Sequence, residues 1–333
     1  MAWVRILWLM LILVPTFSSA QTQHIVEQAK KEGEVILYTT MTVRDFEIFN
    51  KAAKEKYPFL NVRHVYLSSS RQAAKVMQEH RAGRVQADVL GNSLTAMLHY
   101  KEQGVLGKYE SPEAKKMITG SVDPEGYWAG MTTDLLITAL NTRDMTKTKA
   151  PKDYDEYLSP RFKGQMAINS GVPYGLVGMM TFKGEEAGLA YMRKLSQQAL
   201  RPVEGFTHMT NLLAAGEFPL AIFMQVSKIE AMKEKGAPVD WLPSSPTFAT
   251  ISTVALTKNP LHPAAARLLL DFYLSPEGQE ALARAGKIPV RRGVKSPSKD
   301  IDDLLEHGKL HVIREEGEYS RYMKLYSELV GAR

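Results

Sequence analysis

The chain has 333 residues with 42 Lys and Arg against 36 Asp and Glu, a formal net charge of +6. It has no cysteine, which excludes disulfides, thiolate catalysis, Cys-ligated zinc, iron–sulfur clusters and a lipid-modified N-terminal cysteine. The excess positive charge is spread along the chain without a long basic block, so nothing in it calls for a nucleic-acid partner.

At the N-terminus Arg5 precedes an apolar run from Ile6 to Val14, then Pro15, then Ser18-Ser19-Ala20. Basic, apolar and small residues in that order predict a secretory signal peptide over 1–20, cut after Ala20. The apolar run falls short of the roughly 20 residues that a membrane helix needs. A mature protein free in the periplasm is the expected product. Its length, at roughly 150 residues per domain, predicts two domains.

Gln23 to Glu32 predicts a short amphipathic helix. From Gly33 to Ser93 the pattern alternates strand and helix. Glu34–Tyr38 is a strand ending in Thr39-Thr40-Met41-Thr42. Asn61–Tyr66 is a second, ending in Ser68-Ser69-Ser70. Ala87–Leu90 is a third, ending in Gly91-Asn92-Ser93. Between them Phe46, Phe49, Ala53 and Tyr57, then Ala73, Val76, Met77 and His80, recur at helical spacing. Ser70 is the expected N-cap of the second helix. Such alternation implies an α/β protein with a mainly parallel sheet, whose ligands bind beyond the carboxyl ends of the strands. Three hydroxyl- or amide-rich strand ends would then form one wall of a small-molecule site. Each group alone also suits turn closure or helix capping; their repetition carries the reading.

Thr95–Gln103 predicts a further helix, and Tyr127–Asn141 and Phe248–Leu256 two long strands. Between those strands lies a second α/β unit. Its strand ends carry Asn169-Ser170-Gly171 and Gln225, with Tyr174 and Ser227 opening the helices that follow. Two lobes joined by two crossover strands account for this order: 21–130 with 252–333 as lobe 1, and 131–251 as lobe 2. Hinge closure on a ligand is the expected motion. A single large sheet is the alternative. Pro263–Leu274 and Pro276–Ala285 predict helices, and Pro297–Leu329 a charged outer helical segment.

Of the remaining candidates, Arg71 is a cation at a helix start, where it suits a ligand anion or simply points to solvent. Tyr174 suits stacking on a ligand or packing within its lobe. Asp134, in the first crossover beside Trp128, suits a cationic ligand group or a hinge hydrogen bond. His307 and His311 are spaced for one helix face, with no third metal ligand evident. Motifs for phosphate loops, zinc proteases and nucleophile elbows are missing.

The segments Glu32–Tyr38, Ala214–Ile222 and, above all, Lys258–Ala266 with Phe272–Gln279 and Gly286–Arg291 resemble the type II periplasmic substrate-binding proteins of ABC transporters, close to the ferric-iron-binding group. The resemblance covers nearly the whole mature chain. It implies the two-lobed periplasmic-binding-protein fold, no enzymatic activity, no cofactor, and a monomer that delivers its solute to a membrane permease and ATPase. The iron-binding members hold Fe(III) with a His, a Glu and a Tyr pair. Those positions are Thr42, Ser93, Val226 and Ser227 here, none a good hard-metal ligand. The expected solute is therefore a small organic or phosphorylated anion. Its contacts would be Thr39, Thr40, Thr42, Ser69, Ser70, Arg71, Asn92 and Ser93 in one lobe and Asn169, Ser170, Gly171, Tyr174, Gln225 and Ser227 in the other. Ferric iron held through a bound anion, and a secreted enzyme on the same scaffold, are the alternatives.

Overall fold

The computed structural model describes residues 17–314 and 319–331. Most of the expected leader lies outside the described residues, and helix α1 (Phe17–Glu32) runs through the position of the expected cut. Gly33, at φ 71°, turns the chain into the sheet. The first half continues with β1 (Glu34–Thr39), α2 (Val43–Lys56), β2 (Asn61–Tyr66), α3 (Ser69–Arg81), β3 (Val89–Ser93) and α4 (Leu94–Glu102). The crossover β4 (Ala129–Asn141) leads to β5 (Met166–Asn169), α5 (Tyr174–Lys183), α6 (Glu185–Ser196), β6 (Arg201–Val203), α7 (Phe206–Ala215), β7 (Leu220–Gln225), α8 (Val226–Lys233) and β8 (Val239–Leu242). The return crossover is β9 (Thr247–Leu256). Then come α9 (Pro263–Leu274), α10 (Pro276–Arg284), β10 (Ile288–Pro289), α11 (Lys299–His307), β11 (Leu310–Val312) and α12 (Tyr319–Val330).

The predicted apolar spacings become buried faces: Phe46, Phe49 and Ala53 of α2 lie inside the fold. Helix α3 starts earlier than expected. Ser68 is its N-cap, so Ser69 and Ser70 fall in its first turn. The hydroxyl of Ser69 bonds across to β3 instead of capping.

The strand order is β2-β1-β3-β9-β4-β7-β5-β6, with β8 and β10 on β4 and β11 on β9. β1, β2 and β3 are mutually parallel, as are β5, β6 and β7. Hydrogen bonding is unbroken from end to end because β4 and β9 each serve both halves. Their antiparallel pairing runs from Ala129 opposite Val254 to Leu136 opposite Phe248.

Buried side chains nevertheless separate. One cluster draws on 29–131 and 251–290. Two others draw mainly on 135–249. The C-terminal stretch, grouped with lobe 1 by chain order, packs otherwise. Ile301 and Leu304 of α11 join Val239 and Trp241. Tyr326 and Val330 of α12 join Tyr191, Met192 and Leu195 of α6. The apolar stripe of α12 is covered by α5 and α6. The expected continuous helical segment is interrupted by β11, and this places His311 on a strand, apart from His307 on α11. Among the described residues no cluster of metal-ligating side chains forms.

Helix α5 lies flat on aromatic rings. A Cβ at Gly178 would meet the Phe248 ring at 2.3 Å, and one at Gly175 the Phe223 ring at 2.7 Å. Both rings belong to strands of the second half and are buried. Gly178→Ala is expected to lift the helix and lower stability by about 1–3 kcal/mol, the range for overpacking. Urea unfolding monitored by circular dichroism would measure this.

Candidate functional site

The two crossover strands show where solvent reaches the middle of the molecule. Every residue of β4 is buried except Asp134, and every residue of β9 except Thr250 and Ser252. Asp134 pairs with Thr250, and Ser252 lies two positions along the same face of β9. Ser252 in turn pairs with Ser93, at the end of β3. These four residues form one continuous polar patch where the halves meet.

Helices start around this patch. In the first half α2, α3 and α4 each follow the carboxyl end of a strand. Thr42 caps α2, its hydroxyl accepting from the Asp45 amide at 3.2 Å. Ser93 caps α4, accepting from the Ala96 amide at 3.4 Å. In the second half α5 follows β5 and α8 follows β7, whose last residue, Gln225, pairs with Leu136 only two positions from Asp134. Asp134 also reaches α8 directly. Its carboxylate accepts from the Ser227 hydroxyl and, at 3.3 Å, from the Ser227 amide. It accepts its neighbour Leu135's amide at 3.0 Å as well. Burial pushes the Asp134 carboxyl above the ordinary carboxylate range, against the pull of Ser227, the Leu135 amide and Lys228.

The fourteen expected contacts separate by accessibility. Thr40, Ser93, Ser170, Gly171, Tyr174, Gln225 and Ser227 are partly exposed, and Thr42, Ser69 and Arg71 are exposed. Ser70 occupies the first turn of α3. Thr39, Asn92 and Asn169 are buried, with their polar atoms engaged inside the fold. The Thr39 hydroxyl accepts from the Met41 amide at 3.1 Å. Asn92 donates to Gln72 and accepts from Ser69, each at 2.7 Å. Asn169 accepts the amides of Gly171 and Gly205. These three shape the strand ends, because a turn leaving a sheet must find partners for its backbone amides. Tyr174 stacks on Phe206, at the start of α7, with ring centroids 6.3 Å apart.

Sequence reading missed Thr250 and Ser252, which it placed only as strand residues. Their signal was there: hydroxyls at alternate positions of an otherwise apolar strand. A separate pocket of about 210 Å³, lined by Tyr109, Trp128, Leu256 and Leu270 among others, lies at the N-terminal end of β4, and none of the four patch residues lines it.

A model of the bacterial extracellular solute-binding proteins matches residues 87–317, more than half of the chain. The protein belongs to that family. Its fold is that of the type II solute-binding components of ABC importers. Iron-bound HitA from Pseudomonas aeruginosa superposes with a TM-score of 0.75 at 20% identity, over 89% of this chain and 99% of that one. AfuA from Actinobacillus pleuropneumoniae, with fructose-6-phosphate bound, gives 0.70 at 22% identity, over 91% and 100%. An uncharacterized protein of Haemophilus influenzae is 23% identical over 273 residues, 78% of each chain.

Because the Asp134 carboxyl sits above its unfolded value of about 3.9, the folded state holds the extra proton between the two values. Stability from this group therefore falls as pH rises through that window. Asp134→Asn removes the effect. The stability of the variant relative to the wild type is expected to improve as pH rises above about 4 and then to level off once the folded-state carboxyl has ionised, as measured by urea unfolding at each pH.

Proposed function

We propose that this family member captures a small anionic solute, organic or phosphorylated, between two closing lobes, and makes or breaks no bond. The lobes would be 21–130 with 252–333 and 131–251, the C-terminal helices riding on the second. β4 and β9 would flex between them. The place of action is the periplasm, after removal of residues 1–20. The protein works as a monomer and passes its solute to an ABC permease and its ATPase.

One observation carries the anionic reading. Helix starts ordinarily favour acidic residues, because the exposed amides and the macrodipole leave positive potential there. Helices α6, α10 and α11 follow this, opening with Glu185 and Glu186, with Glu277, and with Asp300 and Asp302, whereas α7, α9 and α12 open without an acid. Of the helices that start around the patch, α2 alone follows it. The first turns of α3, α4, α5 and α8 contain no acid. Helices α3 and α8 carry the exposed cations Arg71 and Lys228 there instead. α2 has one acid, Asp45, and Lys287 pairs with it at 2.8 Å. An unmet positive field of this kind, lined by hydroxyls and amides, suits an anion held by backbone N–H groups and Arg. Thr40, Thr42, Ser69, Ser70, Arg71 and Ser93 would contact the solute from one side. Ser170, Gly171, Tyr174, Gln225 and Ser227 would contact it from the other, with Thr39, Asn92 and Asn169 holding the strand ends in place. Closure follows if the solute binds the closed form more tightly than the open one.

Native mass spectrometry of protein purified from its own periplasm should show a bound anion of small mass, and adding that solute should raise the melting temperature. Arg71→Gln with Lys228→Gln is expected to weaken it at least tenfold and to flatten its dependence on salt. Unchanged affinity in the double variant would sink the anionic reading. A visible absorption band on adding ferric citrate, with no response to phosphate esters, would favour iron held through a bound anion.

A further inference from the structure

We infer that Asp134 is a specificity-determining residue: it demands a hydrogen-bond donor at the end of the solute that faces β4 and β9, and turns away solutes that are anionic at both ends. This rests on the reading of the patch as the solute site and names the kind of anion that the site takes.

The walls and the floor of the patch differ in chemistry. Around its sides helices start, and α3 and α8 carry the cations Arg71 and Lys228 in their first turns, all donors. At its base stands a carboxylate, which when ionised only accepts. Asp134 is the one position of a thirteen-residue strand that solvent reaches. One of its oxygens is occupied by the amides of Leu135 and Ser227. The other takes a single partner, the Ser227 hydroxyl, and keeps acceptor capacity. Lys228 influences the carboxylate only at a distance, since no ion pair joins them within 4 Å among the described residues. The charge thus faces the patch without a counter-ion. Its neighbours there, Thr250 and Ser252, are neutral hydroxyls that cannot offset it. A second anionic group placed at the floor would meet a like charge in a partly desolvated setting, where repulsion is much stronger than in water. A hydroxyl placed there would complete the carboxylate's hydrogen bonding. The solute class that fits is a phosphate monoester whose far end carries hydroxyls.

Fructose 6-phosphate and fructose 1,6-bisphosphate make a matched pair of probes, differing by one anionic group. With the full mature chain at pH 7.5, titration calorimetry is expected to give at least tenfold tighter binding of the monophosphate. In Asp134→Asn that preference should shrink to twofold or less, chiefly because the bisphosphate binds more tightly. Asp134→Ser is a second neutral replacement, and urea unfolding checks that each variant is folded. The wild-type ratio tests the idea without any variant. Equal binding of the two esters by the wild type, or an unaltered ratio in both variants, overturns the role of Asp134 and leaves the anionic site standing. Binding of neither ester overturns the phosphate-ester class, and a failure of Arg71→Gln with Lys228→Gln to affect the natural solute separately overturns the anionic site.

Discussion

The pairing of β4 with β9 is the constraint on which the other features depend. Two long antiparallel strands lie side by side through the centre of the molecule, each lending one end to each half-sheet. Their side chains must therefore suit two cores, and nearly all are buried. Where the cores part, burial lapses at three adjacent positions, and all three are polar. The proposed hinge and the proposed binding surface fall in the same place for one geometric reason. The strands have to continue past the end of one core before they enter the next.

Around that gap the secondary structure supplies its own electrostatics. Parallel strands bring the helices that follow them to one edge, so their unpaired amides gather there without special design. Acids are absent from the first turns of α3, α4, α5 and α8, as they are from those of α7, α9 and α12, and they open α6, α10 and α11. The likeness to HitA and AfuA is one of backbone fold. In this chain hydroxyls and one carboxylate, Ser93, Thr250, Ser252 and Asp134, line the gap that we propose as the solute site. A shared scaffold can serve different solutes where framework and lining residues are separate sets.

The alternation of apolar runs and turns made the half-sheets and most helices legible from sequence, and α2 and α9 bury the faces that their spacing indicates. The accessibility of individual polar residues was not legible. Thr39 and Thr40 are neighbours of similar chemistry, yet one points into the sheet and the other toward solvent, because successive residues of an extended chain alternate faces. Asn92 looked like a ligand contact, but a neighbouring helix engages it through Gln72, a partner no local pattern reveals. The short strands β6, β10 and β11 carry too few residues for any period to register, and their positions come from long-range pairing.

The way the chain threads its cores bears on its synthesis. The cluster around β1 and β3 needs residues 251–290 to close over it, and the cluster beneath α5 needs Tyr326 and Val330. Each is assembled from segments far apart in sequence, so local contacts alone cannot complete either one. Completion of the cluster beneath α5 therefore waits on the segment bearing α12, whereas the cluster around β1 and β3 needs the chain only as far as residue 290. For a chain exported to the periplasm, as we propose, late closure of a core favours passage before folding.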